Sequence, residues 1–402
     1  MSDRKLATTD SAAPTEVSDW LARASVNLDY NATTPIHPEV ITAIHDCYLR
    51  CPGNAASPHS LGRRAKSVLE QARERIAELL GARLSGHEPD QLLLTSGGTE
   101  ANNLAMLSLA GTSPGRIVLS KIEHPSVLEV ANVLSRRGYE IAWSPAQPLG
   151  TVDMDAFTAR CSPDTCCACL MLANNETGVI QPVQALAERV DDHILFHTDA
   201  VQAVGKIEVD FRSMNVSTMS FSAHKFHGPV GIGGLIVKHG VNIEPLLHGG
   251  GQQIGLRPGT EPVALAVGMC KALEIWHENR NDTHRRLRGL REQFEAILRQ
   301  KLPWIVIHGS GAPRLAQTTN VSFPGLDRQA LLMALDLAGV ACSTGSACSS
   351  GASEPSSVLT AMGCPEELIQ SSLRFSLGSG IGTSEVALAA SRICKVAIDL
   401  RP

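Results

Sequence analysis

No apolar run in this chain approaches the roughly 18–20 residues that a bilayer span needs, so no membrane-crossing helix is expected. Basic charge is not in excess either. Lys and Arg number 35 against 40 Asp and Glu, a formal net charge of −5, which offers no field for direct nucleic-acid binding and no polybasic patch for a membrane surface. The first 25 residues lack the apolar core of a signal peptide. They mix Arg4, Lys5 and Arg23 with Asp3, Asp10, Glu16 and Asp19, too acidic for an organelle transit peptide. A flexible arm over 1–26 and a cytoplasmic protein are the expectations. Half of a zinc site is also lacking: Cys166 and Cys169 form a C-x-x-C, but no second C-x-x-C or H-x-x-x-H lies at a suitable distance. Neither a Walker A lysine nor a G-x-G-x-x-G is found, which weighs against nucleotide binding, and no internal repeat is visible.

What is present is thiol-rich and ordinary in its apolar content. Eleven cysteines in 402 residues is many, and the number is odd, but a chain this long needs no disulfide framework. Cys166 to Ala173 is nearly all apolar, and in a buried strand cysteine packs as a small hydrophobe. No metal is therefore expected.

Hydrophobic periodicity predicts an α/β architecture. A helix is expected from Leu61 to Leu80, ended by Gly81. Strands are expected at Gln91–Thr95, Arg116–Ser120, Ile141–Ser144, Ala168–Ala173, Ile194–Thr198, Thr218–Ser222 and Gly233–Val237, alternating with helical stretches. Such alternation signals a buried, mostly parallel sheet. After Gly268 a long charged helix is predicted to run to about Leu302. It leads to a smaller C-terminal part with strands at Thr319–Phe323, Val340–Cys342 and Ser372–Ser376, and helices around Arg328–Ala338 and Ser384–Leu400.

The polar motifs fall where strands end, the place where open α/β sheets bind ligands. Ser96-Gly97-Gly98-Thr99 opens a helix after the first strand, and free N–H groups with a hydroxyl there suit a phosphate. The competing reading is an ordinary turn with a threonine cap. Glu123-His124 and Asn174-Asn175 follow later strands; alone, each is a structural histidine and a turn signal. Asp199, with Gln202 three residues on, ends one apolar run, and Ser222-Ala223-His224-Lys225 ends the next. A carboxylate and a lysine so placed are the layout of a pyridoxal 5′-phosphate (PLP) enzyme. The lysine holds the cofactor as a Schiff base, and the carboxylate pairs with the protonated ring nitrogen. A cysteine, Cys348, sits within Ser343 to Ser357, a stretch of almost entirely small, polar residues that predicts a mobile loop. Cys342 reads as a packing residue that ends a strand.

With these residues in place, the chain resembles class V aminotransferases of PLP fold type I, and among them the cysteine desulfurases of the NifS/IscS type. The markers run in order over nearly the whole chain. They include Leu28-Asp-Tyr-Asn-Ala-Thr-Thr-Pro35, Ser96-Gly-Gly-Thr-Glu100, Glu123-His124 and Asn174-Asn-Glu-Thr-Gly178. Further along come His197-Thr-Asp199, Ser222-Ala-His-Lys225, Arg257-Pro-Gly-Thr260, Ser346-Ala-Cys348 and Ser372-Leu-Arg374-Phe-Ser376. The resemblance implies a large PLP-binding domain over 27–275 with a mostly parallel seven-stranded sheet, and a smaller α+β domain over 276–402 that carries the cysteine loop. Residues 27–37 are free to pack on the smaller domain. It also implies a homodimer that converts L-cysteine to L-alanine and transfers sulfur to an enzyme persulfide, then to an acceptor protein whose identity the sequence leaves open.

By that match Gly98, Thr99, Ser222 and His224 hold the phosphate, with Thr260 from a second subunit. His124 stacks on the ring, Asn175 and Gln202 contact its oxygen, and Asp199 its nitrogen. Lys225 is the Schiff-base lysine, Arg374 takes the substrate carboxylate with Asn175 and Asn31 beside it, and Cys348 accepts the sulfur. Catalysis falls to Lys225, Cys348 and His124. The chain departs from the pattern at Ala55, where proline is usual. It stops near Leu400, whereas relatives that dock an iron–sulfur scaffold carry a longer tail. Iron–sulfur cluster assembly is thus one of several destinations, beside thiolation of tRNA, DNA or cofactors. Selenocysteine lyase, or another PLP-dependent transaminase or lyase, is the alternative activity.

Overall fold

The computed structural model describes residues 25–345 and 355–401. Its central sheet has seven strands, numbered in chain order after the short β1 (Val26–Asn27): β2 (Gln91–Thr95), β3 (Arg116–Ser120), β4 (Glu140–Ser144), β5 (Thr165–Cys169), β6 (Leu195–Asp199), β7 (Thr218–Ser222) and β8 (Gly233–Val237). Their spatial order is β2-β8-β7-β6-β5-β3-β4. The β7–β6–β5–β3–β4 run is parallel, and β8 lies antiparallel to both of its neighbours. β7 and β8 are buried along their whole length, as expected of strands covered on both faces.

Side-chain alternation sorts the strands' residues between two layers. Ile117, Leu119, Cys167 and Cys169 pack under the helices Gly98–Ala110 and Pro125–Arg136. Val118, Ala168 and Phe196 face the opposite layer, where Leu69 and Ile76 of the helix Ser60–Leu79 meet Met269 and Leu273 of the helix Val263–Lys301. That last helix, 39 residues long, leaves the first core and enters a second through Leu287, Leu290, Phe294 and Leu298. The second core closes over a three-stranded antiparallel sheet in the order β12-β10-β9, built from β9 (Val306–His308), β10 (Thr318–Ser322) and β12 (Ser372–Ser376). β11 (Val340–Ala341) pairs with β1, so Val26 and Leu28 are buried in this second core.

Several boundaries differ from expectation, most by one residue, and three of the differences are informative. The long helix starts at Val263, not after Gly268. Gly268 lies inside it because a Cβ there would stand 2.6 Å from Ile44 in the helix Pro38–Arg50; it is a close-approach glycine, not a punctuation mark. β5 covers Thr165–Cys169 and not Ala168–Ala173. The apolar pattern registered burial, which runs on to Ala173, while the ladder loosens into single bonds from Leu170 N to His197 O and Leu172 N to Asp199 O. β11 ends at Ala341, one residue before Cys342; burial pushes that thiol up to about 12, as befits a packing residue. Burial likewise holds the Cys167 and Cys169 thiols well above the ordinary thiol range.

Candidate active site

The carboxyl ends of β3, β6 and β7 open onto one cavity of about 370 Å³. Asn31, Gly98, Thr99, His124, Asn175, Asp199, Gln202, Ser222, His224, Lys225 and Arg374 all line it. Thr260 does not: in the single chain it lies on an exposed turn outside this cavity. Cys348 lies outside the described residues. Gly345 and Ser357, on either side of that stretch, both line the cavity.

At one end of the cavity β2 passes into the helix Gly98–Ala110, whose N-cap Gly97 has no side chain to cap the first amides. Ser222, at the end of β7, faces this turn. A Cβ added at Gly97 would lie 3.7 Å from its hydroxyl, and one added at Gly98 would run to 2.6 Å from Val201. The Ser222 Oγ is buried and makes no hydrogen bond. An uncapped helix start beside an orphaned hydroxyl suits an oxyanion, because both supply unspent donors. Glu100 ties the turn down: it accepts from Ser96 N at 2.7 Å and from Arg257 Nε at 2.9 Å. Burial works against this carboxylate, but the Arg257 and Ser96 donors bring it below the usual range.

In the middle of the cavity Asp199 closes β6. Its Oδ1 accepts from Val201 N at 2.9 Å and its Oδ2 from Asn102 Nδ2 at 2.7 Å. Asn102 also donates to Ser126 Oγ at 2.8 Å, so the Ser126 proton turns to His124 Nδ1, 2.8 Å away. His124 Nδ1 accepts from Ser126 N as well, at 3.1 Å, since His124 caps the helix Pro125–Arg136. These bonds place the neutral ring's proton on Nε2. Burial lowers the His124 pKa, against the pull of Asp199 and with the help of Lys225 and Arg374. Behind Asn102, the fully buried His197 contacts Asn102 Oδ1 at 3.0 Å and is pushed down to about 4 by burial. Nothing in the sequence points to Asn102 or Ser126. A buried asparagine one turn into a helix gives no local signal, because its partners come from three other elements.

Lys225 sits on a single 3₁₀ turn after β7 and donates its Nζ to Asn31 O at 2.8 Å and Ala32 O at 2.7 Å. Arg374 comes in from β12. Its Nη1 donates to Asn175 O at 3.1 Å and its Nη2 to Asp29 Oδ1 at 2.7 Å, while its buried Nε has no partner. An acid from the N-terminal segment thus holds the guanidinium in place, another contact invisible in sequence. Glu176, next to Asn175, accepts from Ser356 Oγ and stands where a Cβ at Gly345 would be 2.7 Å from its Oε2. One buried carboxyl therefore touches both flanks of the 346–354 stretch. Gly345 itself has φ +94°, open to glycine at little cost.

Glu123, 1 % exposed and beside His124, accepts from Ser120 Oγ and from Met171 N at 2.9 Å. Burial pushes its carboxyl up to about 7; those two donors oppose the shift and the Asp199 charge adds to it. A folded-state value above the ordinary 4.5 means stabilisation present below that value and lost as pH rises through about 7. Glu123→Gln keeps the acceptor and removes the charge. It should stabilise the fold by up to about 3 kcal/mol at about pH 8, with the gain fading by about pH 5. Thermal unfolding at the two pH values checks this; an equal gain at both would refute it.

The family model for aminotransferase class-V matches residues 26–388. A cysteine desulfurase IscS of Dictyoglomus turgidum is 41% identical over 360 residues, covering 89% of this chain and 90% of the relative. A solved NifS-like protein superposes with a TM-score of 0.85 at 33% identity, covering 94% of this chain and all of that one. The solved SspA in complex with cysteine gives a TM-score of 0.76 at 31% identity, over 87% of this chain and 98% of that one.

Proposed function

This chain belongs to aminotransferase class V, among its cysteine desulfurases, and from that premise we propose that it binds PLP and moves sulfur from L-cysteine to Cys348, releasing L-alanine. The observation that carries the reading is the buried, unpartnered Ser222 hydroxyl at the uncapped helix start, with Lys225 three residues on in the same cavity. These residues fit the cofactor. Gly98, Thr99, Ser222 and His224 would hold its phosphate, Asp199 its ring nitrogen, Gln202 and Asn175 its ring oxygen, His124 one ring face and Lys225 its aldehyde carbon. When bound, PLP supplies an electron sink that weakens the bonds at the substrate's Cα.

The chain's own residues do the rest. Arg374, fixed by Asp29 and Asn175, offers its unspent Nε to the substrate carboxylate. The Lys225 amine takes the Cα proton as a general base. His124 keeps a proton on Nε2 and can donate that N–H as a hydrogen bond to a sulfur in the cavity, which favours the thiolate form of Cys348. The Cys348 sulfur bonds to the substrate sulfur as the latter's bond to carbon breaks.

The same reading divides the chain into a cofactor domain over 27–275 and a smaller domain over 276–402, a division supported by the separation of the apolar cluster around Phe196 and Met269 from that around Phe294 and Phe375. It makes the active form a homodimer acting in the cytoplasm, with Thr260 reaching a second copy's phosphate. Exposed Val230, Leu246, Leu247 and Ile254 along the same segment suit cover by that copy. The acceptor of the sulfur is a protein.

Reconstitution tests the proposal. PLP should give the protein a visible absorbance that borohydride fixes to Lys225, as peptide mapping would show. Cys348→Ser should keep that absorbance and lose sulfur transfer, while alanine release is compared between L-cysteine and selenocysteine. A protein that stays colourless with added PLP would refute the reading.

A further inference from the structure

Lys206 takes no part in the chemistry above, yet it touches two residues that do. It lies one helical-length step, four residues, beyond Gln202, on the turns that follow β6, and it lines a second cavity of about 400 Å³. Asn31 and Lys225 form part of the wall of both cavities. The Lys206 Nζ donates to Gln202 Oε1 and, at 3.4 Å, to Asn31 Oδ1. Gln202 Nε2 donates to Asn31 O at 3.1 Å, and Asn31 Nδ2 to Thr318 Oγ1 at 2.9 Å. Both carboxamides therefore turn their oxygens to Lys206 and their nitrogens away from it. The second N–H of Gln202 is left over for the active-site cavity.

A lysine facing two amide oxygens is unusual in what it lacks. Among the described residues no carboxylate pairs with it, and the charged groups that bear on it are Lys225 and Arg374. Around it His224 and His227 are held neutral, first by burial and in part by its own charge. Burial, Lys225 and Arg374 together hold Lys206 well below the ordinary lysine range. Keeping an ammonium against other cations is costly, and two neutral oxygens return only part of that cost. Its contacts serve the neighbours' geometry rather than its own pairing.

We infer that Lys206 is a positioning residue for the reaction. By donating to Gln202 Oε1 and Asn31 Oδ1 it fixes which edge of the Gln202 amide faces the cavity, so that an N–H meets the ring oxygen of bound PLP. It also braces Asn31, whose backbone carbonyl receives Lys225, and stands as a second cation behind that lysine. This rests on the PLP reading given above.

The test uses the full-length, PLP-loaded enzyme and compares wild type with Lys206→Met, Lys206→Gln, Gln202→Leu and the Lys206→Met/Gln202→Leu pair. Three quantities are read: the pH midpoint of the visible absorbance, kcat/KM for L-cysteine, and Tm. Lys206→Met should move the midpoint upward by roughly one pH unit, because a like charge beside Lys225 has been removed. It should also lower kcat/KM by about tenfold, roughly one lost hydrogen bond to a charged donor. Lys206→Gln keeps a donor and loses the charge, so its midpoint should move while most of kcat/KM is retained; it also serves if the methionine variant does not fold. In the pair, the loss in kcat/KM should be smaller than the product of the two single losses, because the part of the Lys206 effect that runs through Gln202 is already gone. An unmoved midpoint in both Lys206 variants, or losses that simply multiply in the pair, would overturn the inference. A purely structural lysine would lower Tm and leave the midpoint where it was. Failure of wild type to bind PLP would instead sink the functional reading itself, and is told apart by the first spectrum.

Discussion

Lys225→Ala should slow alanine release from L-cysteine by on the order of 10⁴-fold, the full range ascribed to a positioned general base. The lysine ends a 3₁₀ turn that can place Nζ only where β7 stops, and Asn31 O and Ala32 O receive it there from a segment almost 200 residues earlier. Among the described residues no other amine lines this cavity: Lys206, the second lysine in the neighbourhood, is already committed to Gln202 and Asn31. The variant should still bind PLP through the phosphate turn at Gly98 and Ser222, but borohydride should fix none of it to the protein. Single-turnover alanine formation and mass analysis of the reduced protein measure the two effects. Retention of even a tenth of wild-type turnover would mean that another group takes the Cα proton.

Asp199→Ala is the second large effect, about 10²–10³-fold in kcat, the magnitude of losing one preorganised electrostatic partner at a developing charge. Val201 N and Asn102 Nδ2 fix the carboxylate from two sides. It can therefore meet a ring nitrogen without reorganising at the moment of reaction. Removing it also strands the Asn102 donor in a buried place, so a fall in Tm should accompany the kinetic loss. Asn102→Ala separates the two causes. It takes away one of the two supports and breaks the chain from His124 through Ser126, and its kinetic loss should be smaller than that of Asp199→Ala. If both variants lose turnover equally, then Asp199 acts through its packing and not its charge.

How far the fold could be read from sequence is seen in particular elements. Strands β2, β3, β7 and β8 fall where periodicity and turn residues put them, because strand burial and chain reversal are local properties. β5 slid by a few residues because a buried apolar run and a paired strand look alike in a pattern of hydrophobicity. Gly268 misled for a related reason: glycine at a helix end and glycine under a crossing helix are the same letter, and only Ile44 tells them apart. β9 escaped altogether, since three residues with one buried carry no period.

For the site, the residues that meet PLP chemistry are legible because each ends a strand or starts a helix, and their order along the chain follows the alternation of elements. Their supports are not. Asp29 on Arg374, Asn102 on Asp199, Glu176 at both flanks of the cysteine stretch and Lys206 on Gln202 have ordinary sequence surroundings.

Amino-acid order alone therefore decided which groups this protein can bring to bear, since periodicity, caps and motif spacing act over a few residues. Tertiary structure decided who holds whom. Asp29 and Arg374 are 345 residues apart, Lys225 and Asn31 194, and Asn102 and Asp199 97. Those pairs exist only because the order β7-β6-β5-β3 and the return of β12 beneath the N-terminal segment bring them within hydrogen-bonding distance.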